Sequence, residues 1–466
     1  MKKALLLASL AAVAMPVFAE TEGVTYDAKG GYTFENVWMN CAAKGEWNSL
    51  VDAKIPTLDY MATAIALNGK IYVADSKSTG LNPDGTTGLL NQGQLHVFDY
   101  ATGAYEKNIA LTVDGQPLEE LLCANTVDVD DFGHLYVCGY QQNTWNATDN
   151  KAIPLKLYIV DPETGACTYV PGIQLGEEEG YTTGRIDYID LAGDITREQA
   201  HCVVMAVPSA PADQKYVYGW ECEQGGTEWT GHLAGGDYSA LNIEESYPVI
   251  EGPWGGSAWI TILPDDEISA SLYYIDTFTT CPALYDLEGN MVSSFQEVTE
   301  EDKDNPVLVP KTMPVGAFEF SLGDDTFMMY PYEEYEPAPC ANRARIARYG
   351  DIPGDMSKLE NMYDFPQIGM GTLKGNGRRT HVLQSRIVTD ESGKQAAEIL
   401  SFKTGNGLAL YRLAQEGFNA GVNDMIVEDN SNAPVEYFNL QGIRVANPEN
   451  GIFIRRQGTE VSKVAL

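Results

Sequence analysis

Hydrophobic and β-branched residues in this 466-residue chain recur in short alternating runs that turn residues separate. In 157–170, Leu-Tyr-Ile-Val and Cys-Thr-Tyr-Val flank the turn Asp-Pro-Glu-Thr-Gly. Because Pro presets its own φ angle and Gly accepts a positive one, this pattern predicts a strand, a tight turn and a second strand. Helical periodicity is nearly absent, which predicts an all-β protein.

The strand–turn–strand pattern repeats along the chain. A close copy lies at 95–105, and looser copies lie at 220–229, 283–290 and 399–411. The positions equivalent to Asp161, including a weak one at Tyr349, are Asp99, Asp161, Glu221, Asp286, Tyr349 and Lys403. Their spacing is close to sixty throughout, and the last interval is the shortest. A β-only unit that recurs about every sixty residues indicates radial or stacked repetition.

Six units between Ala64 and Leu413 predict a six-bladed β-propeller, whose blades have four strands each. A seventh blade, formed by the N-terminal forty residues together with 369–379, is the alternative within this fold. A pair of β-sandwiches or a β-helix is the competing architecture, and the β-helix is the least favoured because its rungs are much shorter than sixty residues. We expect the strand at 32–38 to complete the last blade.

The first nineteen residues have the three parts of a secretory signal peptide. Lys2 and Lys3 precede an apolar run at 4–17, and Val-Phe-Ala stands before Glu20. No other stretch reaches eighteen apolar residues, so we expect no membrane insertion. The first cysteine is Cys41, which argues against a lipid-anchored N-terminus. The expected location is the periplasm, the cell surface or the medium.

The C-terminal region differs from the repeats. A linker at 419–432 follows the predicted propeller domain, 20–418, and precedes three short strands within 433–466. Three short segments of this region form a recognisable pattern: Tyr-Phe-Asn-Leu-Gln-Gly at 437–442, Gly-Ile-Phe-Ile at 451–454 and Lys-Val at 463–464. Through them this β-meander resembles the C-terminal sorting modules of the type IX secretion system in Bacteroidota.

Two motifs in the repeats are typical of propeller blades: Asn-Gly-Lys-Ile-Tyr-Val at 68–73 and Asp-Phe-Gly-His-Leu-Tyr-Val at 131–137. Together with the Asp-x-x-Thr-Gly turns, they make the repeats similar to uncharacterised exported β-propeller proteins of Bacteroidota. This resemblance implies the fold and implies no activity.

Charge and cysteine content narrow the choice of partners. The net charge is −36, and it becomes −38 once the signal peptide removes Lys2 and Lys3. Such a chain repels nucleic acid, so no nucleic-acid partner is expected. Eight cysteines in an exported chain permit disulfides. Cys202 and Cys222, and likewise Cys138 and Cys167, are predicted to lie on neighbouring strands of one unit, with the pairing left open.

Common enzyme motifs, including His-Glu-x-x-His and Gly-x-Ser-x-Gly, are missing from the sequence. Asp128 and Asp130 have the Asp-x-Asp spacing that begins a calcium loop, but Phe132 stands where a third ligand is needed. In an innermost strand both carboxylates would face the central channel, where they are a weak candidate for a calcium site or an acid–base pair. No other cofactor is expected.

Trp145, Trp229 and Trp254 are the candidate ligand-binding residues, because they lie between Gly, Asn and Thr residues in predicted loops. Such aromatic side chains suit sugar rings or protein partners. The first hypothesis is therefore a non-enzymatic exported propeller that binds a glycan or a protein through loops on one face. The alternatives are a carbohydrate-active hydrolase or lyase with a channel carboxylate or metal, and a structural component of a cell-surface assembly.

Overall fold

The computed structural model describes most of the chain from Thr25 onward. The described residues are 25–44, 47, 61–75, 78–81, 87–90, 93–118, 124–139, 145–146, 151–152, 154–174, 186–208, 216–237, 258–264, 270–277, 280–286, 291–294, 316–332, 343–351, 354–367, 370, 381–403, 405–420, 435–438, 452–457 and 460–465.

The described elements are almost all strands, as the alternating pattern predicts. The strands are β1 (Tyr32–Cys41), β2 (Met61–Leu67), β3 (Lys70–Asp75), β4 (Ser78–Leu81), β5 (Thr87–Leu90), β6 (Gln94–Asp99), β7 (Tyr105–Ala110), β8 (Thr112–Val113), β9 (Gln116–Pro117), β10 (Ala124–Val129), β11 (Leu135–Gly139), β12 (Trp145–Asn146), β13 (Lys151–Ala152), β14 (Leu157–Val160), β15 (Cys167–Val170), β16 (Ile186–Gly193), β17 (Cys202–Pro208), β18 (Tyr216–Cys222), β19 (Thr230–Asp237), β20 (Ala258–Pro264), β21 (Ala270–Thr277), β22 (Thr280–Asp286), β23 (Met291–Ser294), β24 (Phe318–Leu322), β25 (Asp325–Tyr332), β26 (Arg343–Arg348), β27 (Glu360–Phe365), β28 (His381–Thr389), β29 (Gln395–Lys403), β30 (Gly407–Gln415), β31 (Val435–Phe438), β32 (Ile452–Gln457) and β33 (Glu460–Ala465). Two single-turn 3-10 helices are Ala42–Lys44 and Met356–Lys358.

Six four-stranded antiparallel sheets occur in the described part of the chain, and they confirm the six-bladed propeller. From the inside outward, blade 1 is β2-β3-β6-β7, blade 2 is β10-β11-β14-β15, blade 3 is β16-β17-β18-β19, blade 4 is β20-β21-β22-β23, blade 5 is β24-β25-β26-β27, and blade 6 is β28-β29-β30-β1. The last three strands, β31 to β33, form a separate antiparallel meander. Each blade is thus a meander whose first strand faces the ring axis.

The N-terminal strand closes the ring, as expected from the sequence. Strand β1 pairs antiparallel with β30 from Tyr32↔Gln415 to Cys41↔Gly407, with a register shift between Asn36 and Trp38. Blade 6 therefore combines the first described strand of the chain with the last strand of the repeat region. This pairing supplies the sheet hydrogen bonds that an unclosed outer edge would lack.

A ladder of alternating charges crosses all four strands of blade 6. Arg386, Glu398, Arg412 and Glu35 stand opposite one another in register on β28, β29, β30 and β1. Glu398 is 4% exposed, accepts a hydrogen bond from Arg386, and lies 3.0 Å from Arg412 Nη2. Arg412 Nη1 also contacts Glu35 Oε1 at 3.1 Å. The ladder therefore ties the closing strand electrostatically to the blade that it completes.

Blade 1 joins this ladder through Tyr100. The Tyr100 hydroxyl donates to Glu398 Oε2 at 3.1 Å, and the Arg386 guanidinium carbon lies 4.8 Å from the Tyr100 ring centroid. Burial raises the pKa of Glu398, but the two guanidinium groups outweigh it, so the pKa is lowered overall. The charge ladder of blade 6 thus also holds blade 1 against blade 6.

Apolar residues pack between neighbouring sheets. Between blades 1 and 2, for example, Val97 and Ile65 pack with Val127 and Tyr158. Phe34 on the closing strand of blade 6 stacks on Tyr363 of β27 in blade 5, with ring centroids 4.9 Å apart. The core is therefore distributed around the ring and covers both faces of the sheets, so strands such as β3, β11 and β29 are buried almost throughout.

The repeated Asp-x-x-Thr-Gly motif forms the turn between the third and fourth strands. Asp99 Oδ1 accepts hydrogen bonds from the backbone nitrogen and the hydroxyl of Thr102, at 3.0 and 2.6 Å. Gly165 has φ +73°, and a Cβ atom there would lie 2.3 Å from the Ala110 carbonyl oxygen. The motif therefore serves turn geometry and contact between neighbouring blades.

One repeat position was assigned to the wrong strand. Asp99 and Asp286 end third strands, whereas Lys403 ends β29, the second strand of blade 6. The third strand, β30, ends at Gln415 after the tight turn at Asn406 and Gly407. The short interval between Tyr349 and Lys403 arose from this shift. The fourth strand of blade 6 is β1, from the N-terminal part of the chain. Blade 6 therefore has no turn from a third strand to a fourth, and the repeated motif has no true copy there.

The cysteine predictions have different outcomes. Cys202 and Cys222 stand opposite each other on β17 and β18, which confirms that they occupy neighbouring strands. Cys138 and Cys167 share blade 2, but β14 lies between their strands, so the prediction of neighbouring strands was wrong for them. Among the described residues, no helix has the length and apolar character needed to cross a bilayer.

Candidate functional site

The central channel contains a cavity to which all six blades contribute. Its volume is about 500 Å³, a size typical of small-molecule sites. It is lined by residues of β2, β10, β16, β20 and β28 and by the start of blade 5: Thr63, Ala64, Ile65, Val127, Asp128, Asp131, Tyr188, Asp190, Trp259, Thr261, Ile262, Leu263, Gly316, Ala317, Phe318, Glu319, Val382, Leu383, Gln384 and Ser385. The site is therefore a product of ring closure.

Side chains of the innermost strands bind the backbone of the next blade and so fix the channel wall. Gln384 Oε1 accepts from Ala66 N at 3.0 Å, joining blade 6 to blade 1. Similar bonds join the next four blades: Thr63 Oγ1 accepts from Val127 N at 2.6 Å, Thr126 Oγ1 from Ile189 N at 3.4 Å, Asp190 Oδ2 from Ile262 N at 2.6 Å, and Thr261 Oγ1 donates to Ala317 O at 2.9 Å. Such bonds pre-organise the site, because its walls do not have to form when a ligand enters.

Two aromatic side chains form one wall of the cavity. Tyr188 on β16 and Trp259 on β20 stack with an interplanar angle of 9° and ring centroids 3.4 Å apart. Each is 7% exposed. Stacking against each other restricts both rings, so the pair forms a fixed aromatic part of the cavity wall.

Asp128 and Asp190 lie beside this aromatic pair. Asp128 Oδ2 accepts a hydrogen bond from the Tyr188 hydroxyl at 3.0 Å, and its Oδ1 accepts from Val129 N at 2.8 Å. Asp190 Oδ1 accepts from Leu191 N at 2.9 Å. Each carboxyl group is therefore oriented on both oxygens, while unused lone pairs remain for a ligand.

The environment of the channel makes both carboxyl groups hold protons more tightly. Removal from water raises the pKa of Asp128 to about 6. Removal from water and then the nearby charge of Asp128 raise the pKa of Asp190 to about 8. At neutral pH, Asp190 can thus donate a hydrogen bond while Asp128 accepts one.

The electrostatic character of the cavity is acidic. Asp128, Asp131, Asp190 and Glu319 are among the described lining residues, whereas Lys, Arg and His are absent from that described set. Anionic ligands are therefore disfavoured. Neutral polar ligands and cations are favoured.

The two aspartates predicted as a pair have different surroundings. Strand β10 ends at Val129, so only Asp128 lines the channel. Asp130 is 5% exposed, and its oxygens accept from Phe132 N at 3.0 Å, His134 N at 2.7 Å and Ile195 N at 2.9 Å. The structure thus does not bring the pair together, because the turn after β10 directs Asp130 toward backbone amides.

A different group could supply metal ligands. One ligand atom each from Asp130, His134 and Asp194 lies within 4.8 Å of the others. However, Asp194 Oδ1 already accepts from Thr196 N at 2.8 Å and from its hydroxyl at 2.6 Å. His134 Nδ1 lies 2.8 Å from Asp130 Oδ2. The same His134 nitrogen lies 3.4 Å from Asp194 Oδ1, and Asp130 Oδ2 accepts from Ile195 N, so the three side chains join the turns of blades 2 and 3.

The structure describes Trp229 and the backbone of Trp145, and these two candidates lie in connections at opposite ends of the strands. Trp229 precedes β19 in the hairpin between the third and fourth strands of blade 3, is half-buried against the core, and has Arg197 5.3 Å from its ring centroid. Trp145 lies in β12, within the connection between the second and third strands of blade 2. In an antiparallel meander, the connection between the second and third strands and the connection between the third and fourth strands lie at opposite ends of the strands. The side chain of Trp145 and all of Trp254 lie outside the described residues.

Sequence reasoning missed Tyr188, Asp190 and Trp259. The repeat contained a signal for one of them, because the interval from Asp128 to Asp190 equals the interval between the first two turn motifs, at Asp99 and Asp161. Tyr188 and Trp259 had the appearance of ordinary strand residues. Only the ring places them against each other at the axis.

No protein-family model and no curated protein matches the chain. Solved structures match the chain at low similarity. A polysaccharide lyase of family PL25, an ulvan lyase, is 10% identical over 75% of this chain and 83% of its own, with a TM-score of 0.33. A subtype N10 neuraminidase-like protein of A/little yellow-shouldered bat/Guatemala/060/2010 is 9% identical over 75% and 93%, with a TM-score of 0.33.

The β-propeller domain of the Trilobed protease from Pyrococcus furiosus is a third such structure. It is 8% identical over 79% of this chain and 98% of its own, with a TM-score of 0.27. These likenesses are too distant to indicate a ligand or an activity. The class of the protein is therefore defined by its own strand topology: a six-bladed β-propeller with a closed channel site.

Proposed function

We propose that the propeller binds a neutral or cationic glycan segment in its central channel. The observation that carries this proposal is the stacked pair Tyr188 and Trp259 beside the carboxyl groups of Asp128 and Asp190. A sugar has apolar C–H faces and a rim of hydroxyl groups. It therefore matches a flat aromatic wall bordered by oriented hydrogen-bonding groups.

The enclosed position of the site favours a small ligand over a protein surface. The cavity is lined by the innermost strands of five blades and by the start of blade 5, and its volume of about 500 Å³ suits one or two sugar units better than a flat protein interface. The acidic lining favours neutral sugars and amino sugars over uronic acids or sulfated sugars, because a second anion would meet uncompensated carboxylates.

A thermal-shift panel of neutral, amino and acidic oligosaccharides tests the binding function. Anything that binds only the folded state raises its apparent stability. We expect a neutral or amino sugar to raise the melting temperature of the wild type and to lose that effect in Asp128→Ala and Asp190→Ala, which remove the hydrogen-bonding groups. Trp229→Phe is the control, because Trp229 lies outside the cavity lining. A panel in which only acidic sugars stabilise the protein would overturn the proposal.

The same two carboxyl groups support glycoside hydrolysis as a second candidate. Asp190, with a pKa of about 8, would protonate the leaving oxygen, and Asp128, with a pKa of about 6, would act as the carboxylate partner. Released reducing ends would then show a bell-shaped pH profile between about pH 6 and pH 8. If the protein binds a sugar but releases no reducing ends in that pH range, the binding function stands and the hydrolase function is refuted.

We also propose that the chain is exported and that the meander β31 to β33 acts as its sorting segment. Support comes from the signal-peptide pattern at 1–19 and from the separate three-stranded sheet that these strands form. Deleting 433–466 should leave the protein in the periplasm, while the full chain reaches the surface or the medium. Equal distribution of both forms would contradict this role.

A further inference from the structure

Cys202 and Cys222 directly face each other in blade 3. Cys202 is the first residue of β17, Cys222 is the last of β18, and the two are register partners in an antiparallel pair. Residues so paired have Cα atoms about 4.5–5.5 Å apart, within the range of about 4.4–6.8 Å that disulfides require. Both side chains are buried, with exposed fractions of 0% and 1%.

The surroundings of the pair are polar on one side. Arg197, Asp130 and Asp194 all act electrostatically on Cys202, and Arg197 also acts electrostatically on Cys222. Burial raises the pKa of both thiols above the ordinary value, despite the lowering effect of Arg197. Neither thiol is therefore a ready nucleophile in the closed fold. The sheet register places each thiol opposite the other, so each is the other's expected partner.

The other described cysteines provide an internal comparison. In blade 2, β14 separates Cys138 from Cys167, so their Cα atoms are about two strand spacings, roughly 10 Å, apart. Cys138 faces Leu157, and Cys167 faces Val160. Two such residues cannot be bridged without moving the backbone.

We propose that Cys202 and Cys222 form a reversible disulfide that links the two middle strands of blade 3. A small-molecule or protein disulfide supplies the oxidising equivalents. When local opening of the blade exposes the pair, the thiolate of Cys222 attacks this disulfide, forms a mixed disulfide and releases one thiol. Cys202 then loses its proton and attacks the Cys222 sulfur, which forms the Cys202–Cys222 bond and releases the second thiol.

The link would act on the blade that contributes most to the channel chemistry. Strand β17 pairs on its other side with β16, where Asp190 stands opposite Met205. Cross-linking β17 to β18 restricts separation of these strands in the unfolded chain. The oxidised protein should therefore hold Tyr188 and Asp190 in place under denaturing conditions that disorder the reduced protein.

Peptide mapping of the full chain tests the bond directly. The purified protein is treated with oxidised glutathione, with and without low urea, and free thiols are then alkylated. Trypsin cuts after Arg197 and Lys215, and a glutamate-specific protease cuts after Glu223, which separates Cys222 from Cys281. The same protease also cuts after Glu198, so we expect the peptide 199–215 linked to one that ends at Glu223, and its disappearance after reduction. Recovery of both cysteines alkylated, or linked to other cysteines, would overturn the proposal.

Urea unfolding of oxidised and reduced protein supplies a second readout. The oxidised wild type should have the higher midpoint, and the double variant Cys202→Ala, Cys222→Ala should show equal midpoints in both states. Cys138→Ala is the matched control, because it removes a buried thiol of blade 2 and should retain the difference. Equal midpoints for the oxidised and reduced wild type would contradict the proposed link.

Discussion

Replacing Glu398 by Ala removes the centre of the charge ladder that closes the ring. Losing one partner of a buried ion pair costs about 3–5 kcal/mol. Here Arg412 keeps its contact with Glu35, and Arg386 is 37% exposed, so the cost should lie near the lower end, about 3 kcal/mol. Urea unfolding at pH 7, followed by tryptophan fluorescence, measures it.

An exposed ion pair in blade 1 provides the control. Lys70 Nζ lies 2.6 Å from Glu106 Oε1, with side-chain exposures of 36% and 35%. Glu106→Ala should therefore cost less than about 1 kcal/mol. Equal costs for Glu398→Ala and Glu106→Ala would refute the role of the ladder in holding the ring closed.

The pH dependence separates the charge of Glu398 from its packing. Its pKa is lower in the folded protein than in the unfolded chain. The charge therefore stabilises the fold above the unfolded-state pKa of about 4.3, and this stabilisation is lost as the pH falls through the folded-state value. The difference between the wild type and Glu398→Gln should shrink below about pH 4. If the difference in stability between the wild type and Glu398→Gln stays constant down to pH 3, the packing of the Glu398 side chain and not its charge stabilises the fold.

Three further predictions follow from the channel and the turns. Asp190→Asn should become more stable relative to the wild type as the pH rises from about 4 to about 8, because the folded protein holds the Asp190 proton that the unfolded chain releases; urea midpoints at pH 5, 7 and 9 measure this. Tyr188→Phe removes a hydrogen bond that lowers the pKa of Asp128, so carbon-13 NMR of labelled aspartate should show that pKa rising above about 6. Gly165→Ala should destabilise the protein more than Gly133→Ala, because both positions have positive φ but only the Gly165 Cβ would meet a backbone oxygen, at 2.3 Å; thermal unfolding compares them.

The repeat could be predicted from the sequence because each turn is determined by residues that are close together in the chain. Asp161 caps its own turn, and Gly165 must adopt a positive φ, so the same two residues recur as Asp99 and Gly103 in blade 1. Counting these turns predicted the number of blades. It failed at Lys403, because the fourth strand of blade 6 comes from the other end of the chain.

The candidate site was less readable because its residues meet only across the ring. Asp128 was selected for its spacing to Asp130, although its neighbours in space are Tyr188 and the channel. Trp259 belongs to an ordinary apolar strand pattern until β16 places Tyr188 against it. Contacts between successive blades join residues a whole repeat apart in sequence, and no local periodicity encodes which of them face a common axis.

Isothermal titration with the best oligosaccharide from the thermal-shift panel tests the channel site most directly. The wild type and Trp229→Phe should bind with equal Kd, while the double variant Asp128→Ala, Asp190→Ala should bind at least about tenfold more weakly, a loss of about 1.4 kcal/mol. Folded double variant that binds with the wild-type Kd would place the ligand outside the channel and contradict the proposed function.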